Sequence, residues 1–280
     1  MLDSLRRAFG ARPSAEVSEA ITRYREDGYA VLRGAISADL CSRFWEDVER
    51  SLAEDPDLRV VTRGAPVRNA ERAVPFGPLW TGQGNPDRII DIEAQVALTA
   101  ELMLHKTVAA FLKEAIGGVP TCIQTLTYSH SSQQAAHSDK YLVSPRAAGP
   151  YDRETLIASW VALEAADDGN GALIVWPGSH RLEKKRLKDD FAGDYSAYVR
   201  HLEDLCAEAG IAPIRFHAEA GDVLFWHGDL VHGGGPIEDR SRTRKSLVSH
   251  YACLGKTPRS HWDKKTLRTL PTGAYFAPSA

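Results

Sequence analysis

Two segments lying far apart in the chain carry side chains that together could hold a redox metal. They are Ala135-Ala136-His137-Ser138-Asp139-Lys140, and the run from Gly221 through His232 to Gly234 that continues to Arg244. Two neutral imidazoles and one carboxylate on one face of iron(II) leave positions open for a bidentate 2-oxo acid and for O₂. A downstream arginine adds a planar, charged fork that can grip a carboxylate of that acid through two parallel hydrogen bonds. In a His-x-Asp step at a strand end the two side chains share a side, because the strand period is two, so His137 and Asp139 are expected to reach one ion. The third ligand must then arrive on a different strand, and His232 is far enough along the chain to do so.

His-x-Asp alone is a weak signal, and the chain repeats it at His227/Asp229 and His261/Asp263, with His-x-Glu at His201/Glu203 and His217/Glu219. His227/Asp229 is too close to His232 to use a separate strand, and no histidine follows His261/Asp263. His201/Glu203 falls in a helical pattern, where residues two apart face different ways. His217/Glu219 with His232 remains as a competing ligand set.

The elements that must position these residues change character along the chain. Ala15 to Asp27 has helical spacing behind Ser14 as N-cap, with Gly28 as its stop. Tyr29 to Leu32 reads as a strand and Ser37 to Leu52 as a second helix. Residues 54–92, rich in Pro, Gly and Arg, read as long loops with short strands forming a lid, and a third helix is expected from about Ala94 to Ile116. Strand-like runs follow at 121–128, 156–163, 173–176, 214–218, 223–227 and 246–254, interrupted by a helical insertion at about 182–209. The expected organisation is one domain over 1–280: a mainly helical support and lid (1–120), a jelly-roll core (121–255) and a C-terminal tail (256–280). The fold class is thus mainly β with flanking α-helices, around a double-stranded β-helix, cupin-like core.

A formal charge of −3 over 280 residues supplies no global field for nucleic acid or an anionic membrane. No run of about 18 apolar residues suggests a membrane span. Cys41, Cys122, Cys206 and Cys253 lack the CxxC spacing of zinc and redox motifs and are expected to be free buried thiols, so a cytoplasmic protein is expected.

From about Asp27 to Tyr251 the chain resembles the phytanoyl-CoA dioxygenase family of iron(II)/2-oxoglutarate-dependent oxygenases. The resemblance is carried, in the family's order, by His137-Ser138-Asp139, Ser159 to Leu163, Asn170 to His180, Gly221 to His232, and Arg244 to Tyr251. It implies that His137, Asp139 and His232 are iron ligands, that Arg244 pairs with the distal carboxylate of 2-oxoglutarate, and that Ser159 or Trp160 lines the co-substrate pocket. Arg240 and Arg242 are nearby competitors for the role of Arg244, read more simply as exposed loop arginines. Relatives often carry a serine two residues after the distal histidine. Gly234 stands there in this chain, which leaves Gln124 and Thr127 as candidates to replace its hydroxyl.

The implied activity is oxidation of a small-molecule C–H, with O₂ consumed and 2-oxoglutarate converted to succinate and CO₂. Hydroxylation is the expected outcome, with desaturation, ring formation or epimerisation as variants. Asp139 fills the coordination position a halide would need, which argues against halogenation. A cupin-like isomerase, a sugar-binding module or a catalytically silent relative are the competing readings; the first two leave Arg244 unexplained. Arg63, Arg68, Arg72, Lys140 and Arg146 would favour an anionic group on the substrate. His180 is read as fixing a turn, His250 as a core-strand residue, and Trp160, Trp176 and Trp226 as core anchors.

Overall fold

The computed structural model describes residues 14–62, 65–71, 88–143, 156–254 and 265–278. The Ser14 hydroxyl accepts a hydrogen bond from the Val17 amide and opens α1 (Ala15–Asp27), which buries Val17, Ala20, Ile21 and Tyr24. Gly28, at φ 79°, ends the helix in the left-handed conformation that glycine adopts without strain. After β1 (Tyr29–Leu32), Ser37 caps α2 (Ala38–Glu54), which buries Leu40, Phe44 and Val48. Three short strands follow: β2 (Arg59–Thr62), β3 (Ala65–Arg68) and β4 (Arg88–Ile90).

The helix expected over 94–116 is two helices, α3 (Leu98–Met103) and α4 (Lys106–Ile116). The buried Tyr251 hydroxyl donates to the Met103 carbonyl at 2.6 Å, satisfying a terminal acceptor that a continuous helix would have paired internally. Next come β5 (Pro120–Tyr128), α5 (Asp139–Val143), β6 (Ile157–Ala162), β7 (Leu173–Val175), α6 (Leu187–Asp190), α7 (Tyr195–Glu208), β8 (Ile214–Phe216), β9 (Val223–His227), β10 (His232–Gly234) and β11 (Ser246–Cys253). The chain closes on a hairpin, β12 (Lys265–Leu270) and β13 (Gly273–Pro278), in place of the expected tail. β13 adds to β5 in parallel, Ala274 opposite Thr121.

Among the described residues the large sheet runs β1-β9-β6-β11-β5-β4-β2-β3, and a small sheet runs β10-β7-β8. The described part of 54–92 therefore extends the large sheet, with Ile89 opposite Thr127, and residues 72–87 of the expected lid lie outside the described residues. Strand parity divides the large sheet. Val161, Val223, Phe225, Leu247 and Tyr251 face a core shared with α1, α2 and α4. Ala158, Trp160, Leu224, Trp226 and Val248 face the other way, against Leu173, Val175 and Phe216 of the small sheet. This is the double-sheet jelly roll expected from the sequence. The helical insertion covers the outer side of the small sheet through Tyr198, Leu202 and Cys206.

On the helix-facing side of β5, Thr125 donates to the buried Glu93 carboxyl at 2.5 Å. Burial pushes that carboxyl up to about 7 from an ordinary value of 4.5. The folded chain therefore keeps a proton that the unfolded chain releases. This stability is complete below the unfolded value and is lost as pH rises through about 7. The melting temperature of the wild type should fall by a few degrees between pH 5 and pH 8. In Glu93→Gln, which still accepts from Thr125, that slope should flatten, and a melting series across this range checks it.

Candidate metal centre

His137 and His232 are brought face to face by an isolated antiparallel bridge, each backbone amide donating to the other residue's carbonyl at 2.9 Å. Their rings lie 4.2 Å apart. Asp139 Oδ1 is 3.7 Å from the Nε2 atoms of both His137 and His232. These three residues are the one group among the described residues whose ligand atoms gather closely enough to share a metal. The step is not on a strand end as expected: His137 pairs like a strand residue, while Asp139 opens α5. A turn at Ser138 thus replaces strand periodicity in bringing both side chains to one point.

Each imidazole is fixed in the tautomer a metal requires. His137 Nδ1 meets the Ala135 carbonyl at 2.9 Å, and His232 Nδ1 meets the Leu230 carbonyl at 3.1 Å. A carbonyl only accepts, so Nδ1 carries the proton and Nε2 is left with its lone pair. Burial and the neighbouring His232 push His137 down to about 3, and burial lowers His232 as well, so both rings are neutral at neutral pH. Burial opposes ionisation of Asp139, but His232, His250 and His137 around it hold the carboxyl well below the usual range.

The turn is held from behind. The wholly buried Tyr198 hydroxyl of α7 accepts from the Ser138 amide at 3.2 Å and donates to the Ser138 carbonyl at 3.3 Å. Ser138 Oγ donates to the Gly228 carbonyl, and Lys140, also buried, reaches Asp229 at 3.3 Å. Tyr198→Phe keeps the ring but leaves the Ser138 amide short of a partner, while the Ser138 carbonyl still accepts from the Tyr141 amide. A stability loss of about 1–3 kcal/mol and metal binding weakened about 10-fold are expected, measured by melting and cobalt(II) titration.

Near Tyr128, whose hydroxyl feels both Arg244 and Asp139, lies a cation that has no counter-ion among the described residues. Arg244 is 3% exposed, and its Nη1 donates to the Gly171 carbonyl at 2.8 Å. Its guanidinium lies over the Trp160 ring at 5.4 Å. Among the described residues no carboxylate pairs with it, and its Nε has no hydrogen-bond partner. Burial lowers it only to about 10, so it stays charged at neutral pH. Trp160 Nε1 and Ser246 Oγ are also buried without partners. A buried guanidinium with unfilled donors around it fits an anionic ligand such as the distal carboxylate of 2-oxoglutarate.

A family model described as phytanoyl-CoA dioxygenase (PhyH) matches residues 24–245. The chain belongs to the phytanoyl-CoA dioxygenase family. Relatives include the dioxygenase FrzG of a Cladobotryum species, 26% identical over 258 residues, covering 88% of this chain and 78% of the relative. The ectoine dioxygenase of Nocardia farcinica is 26% identical over 231 residues, covering 77% of this chain and 71% of that one. A crystal structure of the epimerase SnoN in complex with Fe3+, alpha ketoglutarate and nogalamycin RO shares the fold, with TM-score 0.63 and 20% identity over 95% of this chain and 96% of that one.

Within this phytanoyl-CoA dioxygenase family member, strand parity sorts the remaining candidates. Gln124 pairs with His250 and shares the face of Tyr128 and Leu126 toward the small sheet. Thr127 takes the opposite face, opposite Ile89 and Leu247, and cannot reach the site. Trp160 points to Arg244, whereas Ser159, one residue earlier, points away, 3.1 Å from the Tyr251 hydroxyl on the helix side. Both Thr127 and Ser159 thus lie on the helix side of the sheet, away from the face that Trp160 and Gln124 share. At Gly234 a Cβ would come within 2.7 Å of Ser132 Oγ and 2.8 Å of the Gln133 amide. The Ser131–Gln133 segment has taken the space of a serine side chain.

The competing ligand set does not form: His217 is exposed and lies 3.3 Å from Asp168. His201 sits on α7, and His180 stands in a turn against the His227 ring. Arg240 is exposed and Arg242 is engaged by Asp167 at 2.7 Å. Of the cations expected to greet an anionic substrate, Arg68 is exposed and paired with Glu71 and Asp57, and Lys140 is buried on Asp229. Arg63, Arg72 and Arg146, like His261 and Asp263, lie outside the described residues. Two residues read as bland core positions, Trp226 and His250, instead touch Asp139. Parity would have found them: His250 is an even number of residues from Arg244, and Trp226 alternates with Leu224 on the same face.

Proposed function

We propose that this protein is an iron(II)- and 2-oxoglutarate-dependent dioxygenase that hydroxylates an unactivated C–H of a small-molecule substrate, releasing succinate and CO₂. The observation that carries the reading is a His-Asp-His cluster together with a buried guanidinium that pairs with no carboxylate among the described residues, both acting on Tyr128. A carboxylate would complement that cation, and a metal would complement the Nε2 lone pairs that converge on Asp139. Iron(II), when bound, supplies activation of O₂ at the expense of the 2-oxo acid. The chain's own residues do the rest: His137, Asp139 and His232 hold the metal, and Arg244 orients the co-substrate. Trp160, on β6, packs its ring under that guanidinium. We assign residues 1–280 to one oxygenase domain, supported by a large sheet that takes strands from Tyr29 to Pro278. The four cysteines are free thiols, the state a reducing cytoplasm maintains, and cytoplasmic residence is inferred on that basis. No described helix is long and apolar enough to cross a membrane.

Anaerobic addition of iron(II) and 2-oxoglutarate should produce a weak visible charge-transfer band. A metabolite library scored by succinate formation then finds the substrate. Mass spectrometry of the product should show one oxygen atom gained from labelled O₂, even in high chloride. A chlorine isotope pattern would overturn the assignment of Asp139 as a ligand.

A further inference from the structure

On the assignment of iron(II) to this centre, we propose that Trp226 and His250 are positioning residues that hold Asp139 as a one-oxygen ligand. A carboxylate can meet a metal through one oxygen or two. The second mode would occupy a position that the 2-oxo acid or O₂ needs. Here the two oxygens have different surroundings. Oδ1 is 3.7 Å from both ligand Nε2 atoms, while Oδ2 is turned away and accepts from Trp226 Nε1 at 2.9 Å. His250 Nε2 lies 3.4 Å from the same Oδ2.

The fold builds this arrangement from two strands that flank β6. Ala158 of β6 is the register partner of both Trp226 on β9 and His250 on β11. Its methyl group leaves room above β6 for two large rings, which meet edge to face at 6.4 Å and 87°. The Trp226 ring also packs 4.7 Å from the His232 ring, so one side chain supports two of the three ligands. An indole N–H only donates and does not titrate, so it commits Oδ2 to accepting at any working pH. His250 Nδ1 has no hydrogen-bond partner among the described residues, which leaves the ring free to carry its proton on Nε2 toward Asp139. A residue serving only as a core anchor would need none of this directionality, and removing the N–H alone would leave metal binding unchanged.

The test compares cobalt(II) and 2-oxoglutarate binding by wild type, Trp226→Phe and His250→Asn, with melting of each metal-free protein. Trp226→Phe keeps an aromatic ring against His232 and removes the N–H. Its cobalt(II) affinity should fall about 10- to 100-fold, as for other groups that orient metal ligands. Its cobalt(II) visible spectrum should change, and 2-oxoglutarate should bind the cobalt(II) form more weakly. His250→Asn should produce the same changes to a smaller extent, as its longer contact implies. Wild-type affinity and spectrum in Trp226→Phe overturn the proposal. If that variant does not fold, replacing Trp226 by its benzothiophene analogue, the same shape without the N–H, gives the same readout. Failure of the wild type itself to bind cobalt(II) through His137 and Asp139 would overturn the metal assignment instead, which separates the two.

Discussion

Replacing His137 or Asp139 with alanine should reduce iron-dependent consumption of 2-oxoglutarate below detection. The expectation follows from the geometry of the turn. His137 and His232 are locked together by reciprocal backbone hydrogen bonds, and Asp139 Oδ1 faces both imidazoles from a separate helix start. Loss of one ligand removes a third of the coordination from the protein. It also frees the other two from a common centre, so the remaining metal would bind weakly and in the wrong place. His217→Ala is the matched control. That histidine belongs to the only other His-x-acid pair that could have combined with His232, yet its ring is on the surface against Asp168. Succinate formation and metal content measured together decide the matter. Full turnover in either ligand variant, or its loss in the control, would refute the ligand set.

That His137, Asp139 and His232 would gather was legible from their residue types and order, although a turn and not the strand period brings the first two together, and most strands were legible because alternation and turn residues mark them. Gly28 and Ser14 ended and opened α1 where the sequence suggested, since both act within one turn of chain. What escaped depends on contacts remote in sequence. At the break between α3 and α4 the Met103 carbonyl is bonded by Tyr251, whose hydroxyl lies far downstream. The β12–β13 hairpin joins the sheet only because β5 offers it a free edge at Thr121 and Cys122. Thr127 and Ser159 had suitable chemistry but the wrong parity, facing the helices while Gln124 and Trp160 face the centre. Lys140 seemed available to a substrate because it adjoins Asp139. In a helical first turn, however, adjacent residues diverge, and its amine is buried against Asp229.

Arg244→Met should abolish 2-oxoglutarate binding and, at the same time, make the ligand-free protein more stable. The two effects have one origin. In the structure the guanidinium is almost wholly buried and charged, bonded to one backbone carbonyl and stacked on Trp160, with no carboxylate against it among the described residues. Exchanging a buried charge of this kind for an apolar side chain of similar length stabilises folds by about 1–4 kcal/mol, a rise of several degrees in melting temperature. The wild type regains this when 2-oxoglutarate binds: at 100 times the dissociation constant, mass action adds about 2.7 kcal/mol. Adding 2-oxoglutarate with a redox-inert metal should therefore raise the melting temperature of the wild type and leave Arg244→Met unmoved. Arg244→Lys should fall between, its affinity about 10- to 100-fold weaker, because an ammonium keeps the charge but not the paired hydrogen bonds. Cobalt(II) affinity should be unchanged in both, since neither touches a ligand. A 2-oxoglutarate-dependent shift that survives in Arg244→Met, or that vanishes instead in Arg240→Met or Arg242→Met, would show that the carboxylate is held elsewhere. A metal-free Arg244→Met less stable than wild type would mean that the Gly171 hydrogen bond and the Trp160 contact already outweigh the burial of the charge.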